Sequence, residues 1–337
     1  MQVNGWERRV AHAEDDGTAE RVRPQWGRRQ GQICAACAAV VGVLLVCHGA
    51  VPNSGMRLGS LIESFLPWLG VVVVVLLGLA LLRRSGVALV AVAAPVVAWV
   101  CLFGGLLLPE AQAGPRELVV VQHNVSDENR DPAGTARALA RPEAGRRPDL
   151  IALQELVPSA LPAYEKTLAA HYPHHAVRGT VGLWSRYPLS GARAVDVKPR
   201  GITESWRRAL RAVVRTPHGD VAAYVAHLPS VRVRASGLAS AWRDESAGLL
   251  GEAVGAERLR RAVLLGDLNG TVDDRGLAPL TSRLNVPERG FAFSFPAAFP
   301  VARIDQVMAR SATVAHVRTL PATGSDHLPL AARIALH

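Results

Sequence analysis

The chain has 337 residues, 49% hydrophobic, 5% aromatic and 20% charged, with 38 Lys+Arg against 28 Asp+Glu for a formal net charge of +10. That apolar content excludes a disordered or collagen-like chain, and four Cys over this length exclude a small disulfide scaffold. Across 33–108 the only charges are Arg57, Glu63, Arg83 and Arg84, which excludes a wholly soluble protein and points to an anchor with a globular part attached.

In chain order, residues 1–32 form a polar tail containing Arg8, Arg9, Arg21, Arg23, Arg28 and Arg29. Three apolar stretches follow at 33–51, 65–82 and 87–108, of 19, 18 and 22 residues. A crossing takes about 20 residues of helix, so 33–108 is predicted to be a three-helix transmembrane anchor. Basic residues favour the cytoplasmic side. The tail and the Arg83-Arg84 connection are therefore expected inside, making a multi-pass cell-membrane protein with 109–337 extracytoplasmic. The tail is too long for a signal peptide, although Ala111-Gln112-Ala113 resembles a small-residue cleavage site. Cys34, Cys37, Cys47 and Cys101 all lie in the apolar stretches, and Cys34-x-x-Cys37, without a second ligand pair, reads as apolar filler.

Residues 109–116, with Pro109, Gly114 and Pro115, read as a linker to a domain at 117–337. Apolar runs at 118–122, 150–154, 181–184, 209–214, 221–226, 262–265 and 328–334 read as strands, and patterned stretches near 133–141, 158–170 and 235–260 as helices. Thr216-Pro217-His218-Gly219 separates two runs and signals a hairpin. Hairpin neighbours mixed with strand–helix alternation predict an α+β domain with helices covering sheets. His171, His174 and His175 read as an exposed loop rather than a metal site.

Chemistry-bearing residues recur where apolar runs end. Asn124 follows the first run, Glu155 closes Leu153-Gln154-Glu155, and His227 closes Val225-Ala226-His227. Asp267 and Asn269 close Gly266-Asp267-Leu268-Asn269, Asp305 lies in Arg303-Ile304-Asp305, and Asp326-His327 precedes the final run. Alone, a strand-end Asp or Asn is an ordinary turn residue and a lone His is structural or solvated. Six strand ends carrying carboxylates, amides and imidazoles predict convergence in one cleft.

This ordered set, with Gly182-Leu183-Trp184-Ser185-Arg186 and Ser325-Asp326-His327-Leu328-Pro329, resembles the endonuclease/exonuclease/phosphatase superfamily over about 117–336. The resemblance implies a deoxyribonuclease-like four-layer α/β/β/α sandwich and Mg²⁺-dependent phosphoester hydrolysis, with Mn²⁺ the alternative ion. A hard cation bound through carboxylate and amide oxygens suits phosphoryl chemistry. Metal-ligand roles are implied for Glu155, with Asn124 beside it and Asp326 sharing the ion. Asp267 would orient or deprotonate water, and Asn269 would hold the phosphate oxygens. His327 would be a general base or a phosphate contact, with Asp305 fixing its tautomer. His227 is the candidate acid, as in the deoxyribonuclease and sphingomyelinase branch, with no orienting partner identifiable. Arg186 is carried over as a substrate-binding residue. Ser126 departs from family nucleases that have Asp there.

Residues 109–337 hold 29 Lys+Arg against 22 Asp+Glu, a bias that attracts phosphates of any kind. Stacking aromatics suited to single-stranded nucleic acid are sparse. A short linker holding the domain at the outer leaflet favours a lipid-linked phosphate by effective concentration. Three spans plus this domain are similar to the VanJ-type proteins associated with teicoplanin-class glycopeptide resistance, which implies an undecaprenyl-linked pyrophosphate. The alternatives are an anchored extracellular nuclease and a non-catalytic lipid- or drug-binding sensor.

Overall fold

The computed structural model describes residues 25–110, 114, 116–142, 145–235 and 237–337. Most of the expected tail, Ala111-Gln112-Ala113 and part of the 109–116 linker lie outside the described residues. The anchor contains α1 (Gln25–Cys47), α2 (Leu58–Ser64), α3 (Leu69–Leu82) and α4 (Gly86–Phe103). Helix α1 thus begins inside the segment expected to be tail.

Helices α1, α3 and α4 bury Ala38, Val41, Leu45, Val73, Leu76, Val92 and Phe103 against one another. Outward they present Val40, Val43, Val46, Val71, Val74, Leu82 and Val90, an apolar surface suited to lipid. Two helical segments, Arg29–Ala50 and Gly86–Leu107, are each 22 residues long and apolar enough to cross a membrane. The third expected crossing is not established. Helix α3 has 14 residues, or about 21 Å, short of a hydrocarbon core of about 30 Å. Pro67 lies in the turn before it, and α2 meets it at a bend of 62°. A count of uncharged residues cannot detect that break.

The domain that follows runs β1 (Glu117–Asn124), α5 (Pro132–Leu139), β2 (Leu150–Gln154), α6 (Leu161–Leu168), β3 (His174–Arg178), β4 (Val181–Ser185), β5 (Leu189–Ala194), β6 (Ala209–Thr216) and β7 (Gly219–His227). It continues with β8 (Arg232–Arg234), β9 (Gly237–Ala239), α7 (Ala241–Gly255), β10 (Ala262–Asp267), α8 (Ala278–Thr281), β11 (Asp305–Arg310), β12 (Ala312–Thr319) and β13 (Leu330–Leu336). One mixed sheet has the order β12-β13-β1-β2-β4-β3, a second β11-β10-β7-β6-β5, and β8-β9 form a small ribbon. The expected hairpin is β6–β7, with Thr216 paired to Gly219. The His-rich patch is partly strand: His174 and His175 belong to edge strand β3, and His175 stacks on Trp184. The stretch 235–260 is helical only from Ala241, because β9 precedes it.

Alternation explains the layering. Leu118, Val120, Leu150, Ala152, Val225, Val263, Leu265 and Val307 face the space between the two large sheets. The opposite residues of the six-stranded sheet, Val121, Ile151 and Leu153, bury against Ala136 and Leu139 of α5 and Tyr164 and Leu168 of α6. Those of the five-stranded sheet, Ala222, Tyr224 and Leu264, bury against Leu250 and Val254 of α7 and Leu280 of α8. Strands with both faces apolar need cover on both sides, and the helices provide it.

The anchor is built into one end of this domain. Glu63 is 2% exposed and accepts from the Arg275 backbone N–H at 3.0 Å and from its Nη2 at 2.7 Å. Arg275 also donates to the carbonyls of Val51 and His48, both at 3.0 Å. Leu238 N donates to Met56 O at 3.0 Å, and Trp68 Nε1 to Val301 O at 2.7 Å. The β8–β9 ribbon after β7, the loop after β10 and the loop before β11 therefore all meet the helical bundle and its connections.

Candidate active site

Register sets out half the site. In the five-stranded sheet, Asp267 pairs with His227 on one side and Asp305 on the other, forming one row across three strands. Val225, Leu265 and Val307, two residues away on each strand, face between the sheets, so the row faces there too. In the six-stranded sheet, Asn124 pairs with Gln154, and Glu155 follows immediately. Its φ of +60° turns it back toward Asn124, a left-handed conformation costing a non-glycine residue about 1–3 kcal/mol. The convergence expected from six strand ends is thus produced, for the five strands β1, β2, β7, β10 and β11, by parity and register together.

Asn124 Nδ2 donates to Glu155 Oε1 and to Asp267 Oδ2, both at 3.0 Å. His227 Nε2 lies 3.6 Å from the same two oxygens and has no hydrogen-bond partner among the described residues. Arg208 Nη1 lies 3.4 Å from His227 Nδ1, which makes Nδ1 the acceptor and leaves the proton on Nε2. Burial pushes the His227 imidazole down to about 4, with Arg208 and His327 adding to the effect against Asp267. Arg208 itself stacks over Trp206, its Cζ 4.0 Å from the ring centre.

Asp305 accepts three hydrogen bonds: from Gln122 Nε2 at 2.9 Å, Ser294 Oγ at 2.6 Å and His327 Nδ1 at 2.8 Å. Burial lowers the proton affinity of His327, yet the carboxylates of Asp305, Asp267 and Asp326 outweigh it and hold this imidazole up at about 10. It is an imidazolium at neutral pH, with Nε2 3.8 Å from Asp267 Oδ2. Burial raises the Asp267 carboxyl, opposed by the charge of His327. Asp267 Oδ1 accepts from Asn269 N at 2.9 Å, and Asn269 Nδ2 donates to Leu228 O at 3.0 Å.

A divalent cation fits this donor set. Two carboxylates, Glu155 and Asp267, converge on the single Asn124 amide, whose Oδ1 accepts from Ser126 N at 3.1 Å; presenting that oxygen to a cation would give up the Ser126 bond. Asp326 is exposed and lines, with Glu155, Asp127 and Asp131, an adjoining groove of about 660 Å³. Asp267, Asp305 and His327 also bring ligand atoms within 4.8 Å of one another. The three donors already on Asp305 make that group a hydrogen-bonded relay rather than a cage.

Arg186 requires correction. Strands β2 and β4 are antiparallel and pair Leu150 with Ser185, so Arg186 sits at the start of β2, the opposite end from Glu155. There it donates to Asp149 Oδ1 at 3.3 Å. The remaining predicted residues, Asn124, Glu155, His227, Asp267, Asn269, Asp305, Asp326 and His327, gather at one end of the sandwich. Sequence reasoning missed Gln122 and Ser294, which bond Asp305, and Arg208, which contacts His227. It also missed Arg243, 1% exposed, which donates from Nη1 to Asn269 O at 3.1 Å. Arg208 stood in a visible Arg cluster, whereas the other three carried no motif signal.

Solved structures share this fold. A sphingomyelinase C from Streptomyces griseocarneus is 16% identical, with a TM-score of 0.51, covering 66% of this chain and 99% of its own. A beta toxin from Staphylococcus aureus, solved with bound magnesium ions, is 13% identical, with a TM-score of 0.50 and coverages of 66% and 100%. A humanized D. rerio TDP2 is 19% identical, with a TM-score of 0.50 and coverages of 65% and 98%. No curated protein sequence matches the chain. Residues 121–327 match the Endonuclease/Exonuclease/phosphatase family over more than half the chain, from β1 to His327, and the chain belongs to that family of phosphoric ester hydrolases.

Proposed function

We propose that this protein is a membrane-anchored, divalent-metal-dependent phosphoesterase acting on a lipid-linked phosphate or pyrophosphate at the outer membrane face. One observation carries the substrate class. The β8–β9 ribbon that follows His227, the loop that follows Asp267 and the loop that precedes Asp305 are joined to Met56, Glu63 and Trp68 of the anchor respectively. The reacting end of the sandwich is therefore next to the bilayer, where a lipid head group arrives without leaving the membrane. The groove beside Glu155 is lined by Asp127, Glu128, Asp131 and Asp326 against a single Arg130, which disfavours a polyanionic strand and tolerates one phosphate. In this reading α3 makes the third crossing with α2 as its bent continuation, and the N-terminus is cytoplasmic. The VanJ-type resemblance favours an undecaprenyl-type pyrophosphate and a glycopeptide-resistance role.

Bound Mg²⁺ or Mn²⁺ would neutralise phosphate charge from Asn124 and Glu155, with Asp326 at the rim. The chain's own groups supply the rest. Asp267, with Asn269 N on its other oxygen, orients the attacking water and takes its proton. The imidazolium of His327, held by Asp305, donates from Nε2 to a phosphate oxygen. His227 is kept neutral and donates from Nε2 toward the same space. Asn269 is fixed by Leu228 and Arg243 beside the phosphate. Arg208 supplies the second positive charge.

Phosphate release should be measured from undecaprenyl pyrophosphate in vesicles, with plasmid DNA and sphingomyelin in parallel, under Mg²⁺ and under EDTA. The expected result is metal-dependent release from the prenyl lipid, lost in Asp267→Asn and His327→Ala. Degradation of DNA with the lipid untouched would establish the nuclease instead. Glycopeptide resistance retained by a Glu155→Gln protein that binds no metal and releases no phosphate would establish the non-catalytic sensor.

A further inference from the structure

We propose that Trp68, a residue of the membrane anchor, is a positioning residue for the Ser294–Asp305–His327 relay, so that the anchor is part of the catalytic apparatus and not only a tether. The inference rests on the phosphoesterase reading above. Between Phe293 and Ala302 the chain makes a narrow turn-back belonging to neither large sheet, closed by a single bridge between Phe295 and Ala302. Within it Ser294 N and Phe295 N donate to Ala302 O at 2.9 and 3.0 Å, and Val301 N donates to Phe295 O at 2.9 Å.

Its inner arm supports the relay at three points. Ser294 Oγ donates to Asp305 Oδ2 at 2.6 Å, Ser294 O accepts from Leu328 N at 2.8 Å, and the Phe295 ring lies 4.9 Å from the His327 ring. Trp68 holds both arms from outside. Its Nε1 donates to Val301 O at 2.7 Å, and its ring stacks on Phe293 at 5.5 Å and 19°. One indole thus touches the residue before Ser294 and the residue before Ala302. A segment without sheet neighbours takes its position from such contacts, and the relay inherits that position. Displacing a reacting group by about 1 Å costs rates of up to about a hundredfold.

The test uses the full chain in nanodiscs with Mg²⁺, reading kcat and KM on undecaprenyl pyrophosphate, and the downfield Nδ1–H proton signal of His327 in the same samples. The signal is assigned by its loss in His327→Gln. Trp68→Ala should lower kcat about ten- to a hundredfold, change KM less than about twofold, and broaden the His327 signal. Trp68→Phe removes the donor to Val301 and part of the indole but keeps an aromatic ring against Phe293, and should give a kcat between those of Trp68→Ala and wild type. The loss in Trp68→Ala combined with Ser294→Ala should fall short of the product of the single losses, because both act on one relay. A folded Trp68→Ala protein with unchanged kcat and an unchanged His327 signal overturns the proposal, as do fully multiplicative losses. An inactive wild type with a His327 signal sensitive to Trp68 would instead reject the phosphoesterase reading and leave the coupling standing.

Discussion

Asp305→Asn offers a quantitative test of how the relay is charged. In the metal-free protein the His327 imidazole is held up at about 10 against an ordinary 6.5, with a side chain only 6% exposed. A group with a raised folded-state pKa stabilises the fold fully below its unfolded value and loses that contribution as pH rises through the folded one. At 1.36 kcal/mol per pH unit, the contribution is about 5 kcal/mol below pH 6.5, about 4 at pH 7, and nil above about pH 10. Asp305 is the foremost of the carboxylates that raise it, ahead of Asp267 and Asp326. Its neutralisation should therefore remove a large part of that contribution of about 4 kcal/mol at pH 7, several degrees in Tm for a domain of this size. At pH 10 only a misfit between the new amide and the Ser294 hydroxyl remains, about 1 kcal/mol. Thermal unfolding of wild type and variant in EDTA, at pH 6, 7, 8.5 and 10, reads the gap directly. The gap should narrow steadily with rising pH. A constant gap across that range would refute a His327 imidazolium held by Asp305.

Three further outcomes follow from the same contacts. Glu155→Gln should raise the Mg²⁺ concentration for half-maximal activity at least about tenfold, read by metal titration, because one of two carboxylates converging on Asn124 is lost. Arg186→Ala should leave kcat and KM within about twofold of wild type in steady-state assays, since Arg186 lies at the far end of β2. Burial raises the Glu257 carboxyl, but hydrogen bonds from Arg211, Leu259 N and Tyr224 outweigh this and hold it down to about 2. Glu257→Gln should cost about 2–3 kcal/mol at pH 7 in denaturant unfolding. That cost should vanish as pH falls from 4.5 toward 2, where wild type loses the contribution itself.

What the sequence by itself determined is local. The run 150–154 coincides with β2 and the Thr216–Gly219 signal with the β6–β7 turn, because buried strands bounded by turn residues need no distant partner to be seen. Edge strands β3 and β5 were invisible, since half-exposed residues carry no continuous apolar run. Residue chemistry was legible too: carboxylates, amides and imidazoles at strand ends identified eight of the residues that gather at the site. Strand direction was not legible, and Arg186 was misplaced for that reason. Pairing and register are set by contacts between segments far apart in sequence, and those contacts decided which residues face one another. Gln122 and Asp305 are 183 residues apart, and Trp68 and Val301 are 233 apart. The division into an apolar segment and a following domain was therefore written in composition and the chemistry in strand-end residues, while the contacts between Trp68, Glu63 and that domain were decided only where the chain folds back on itself.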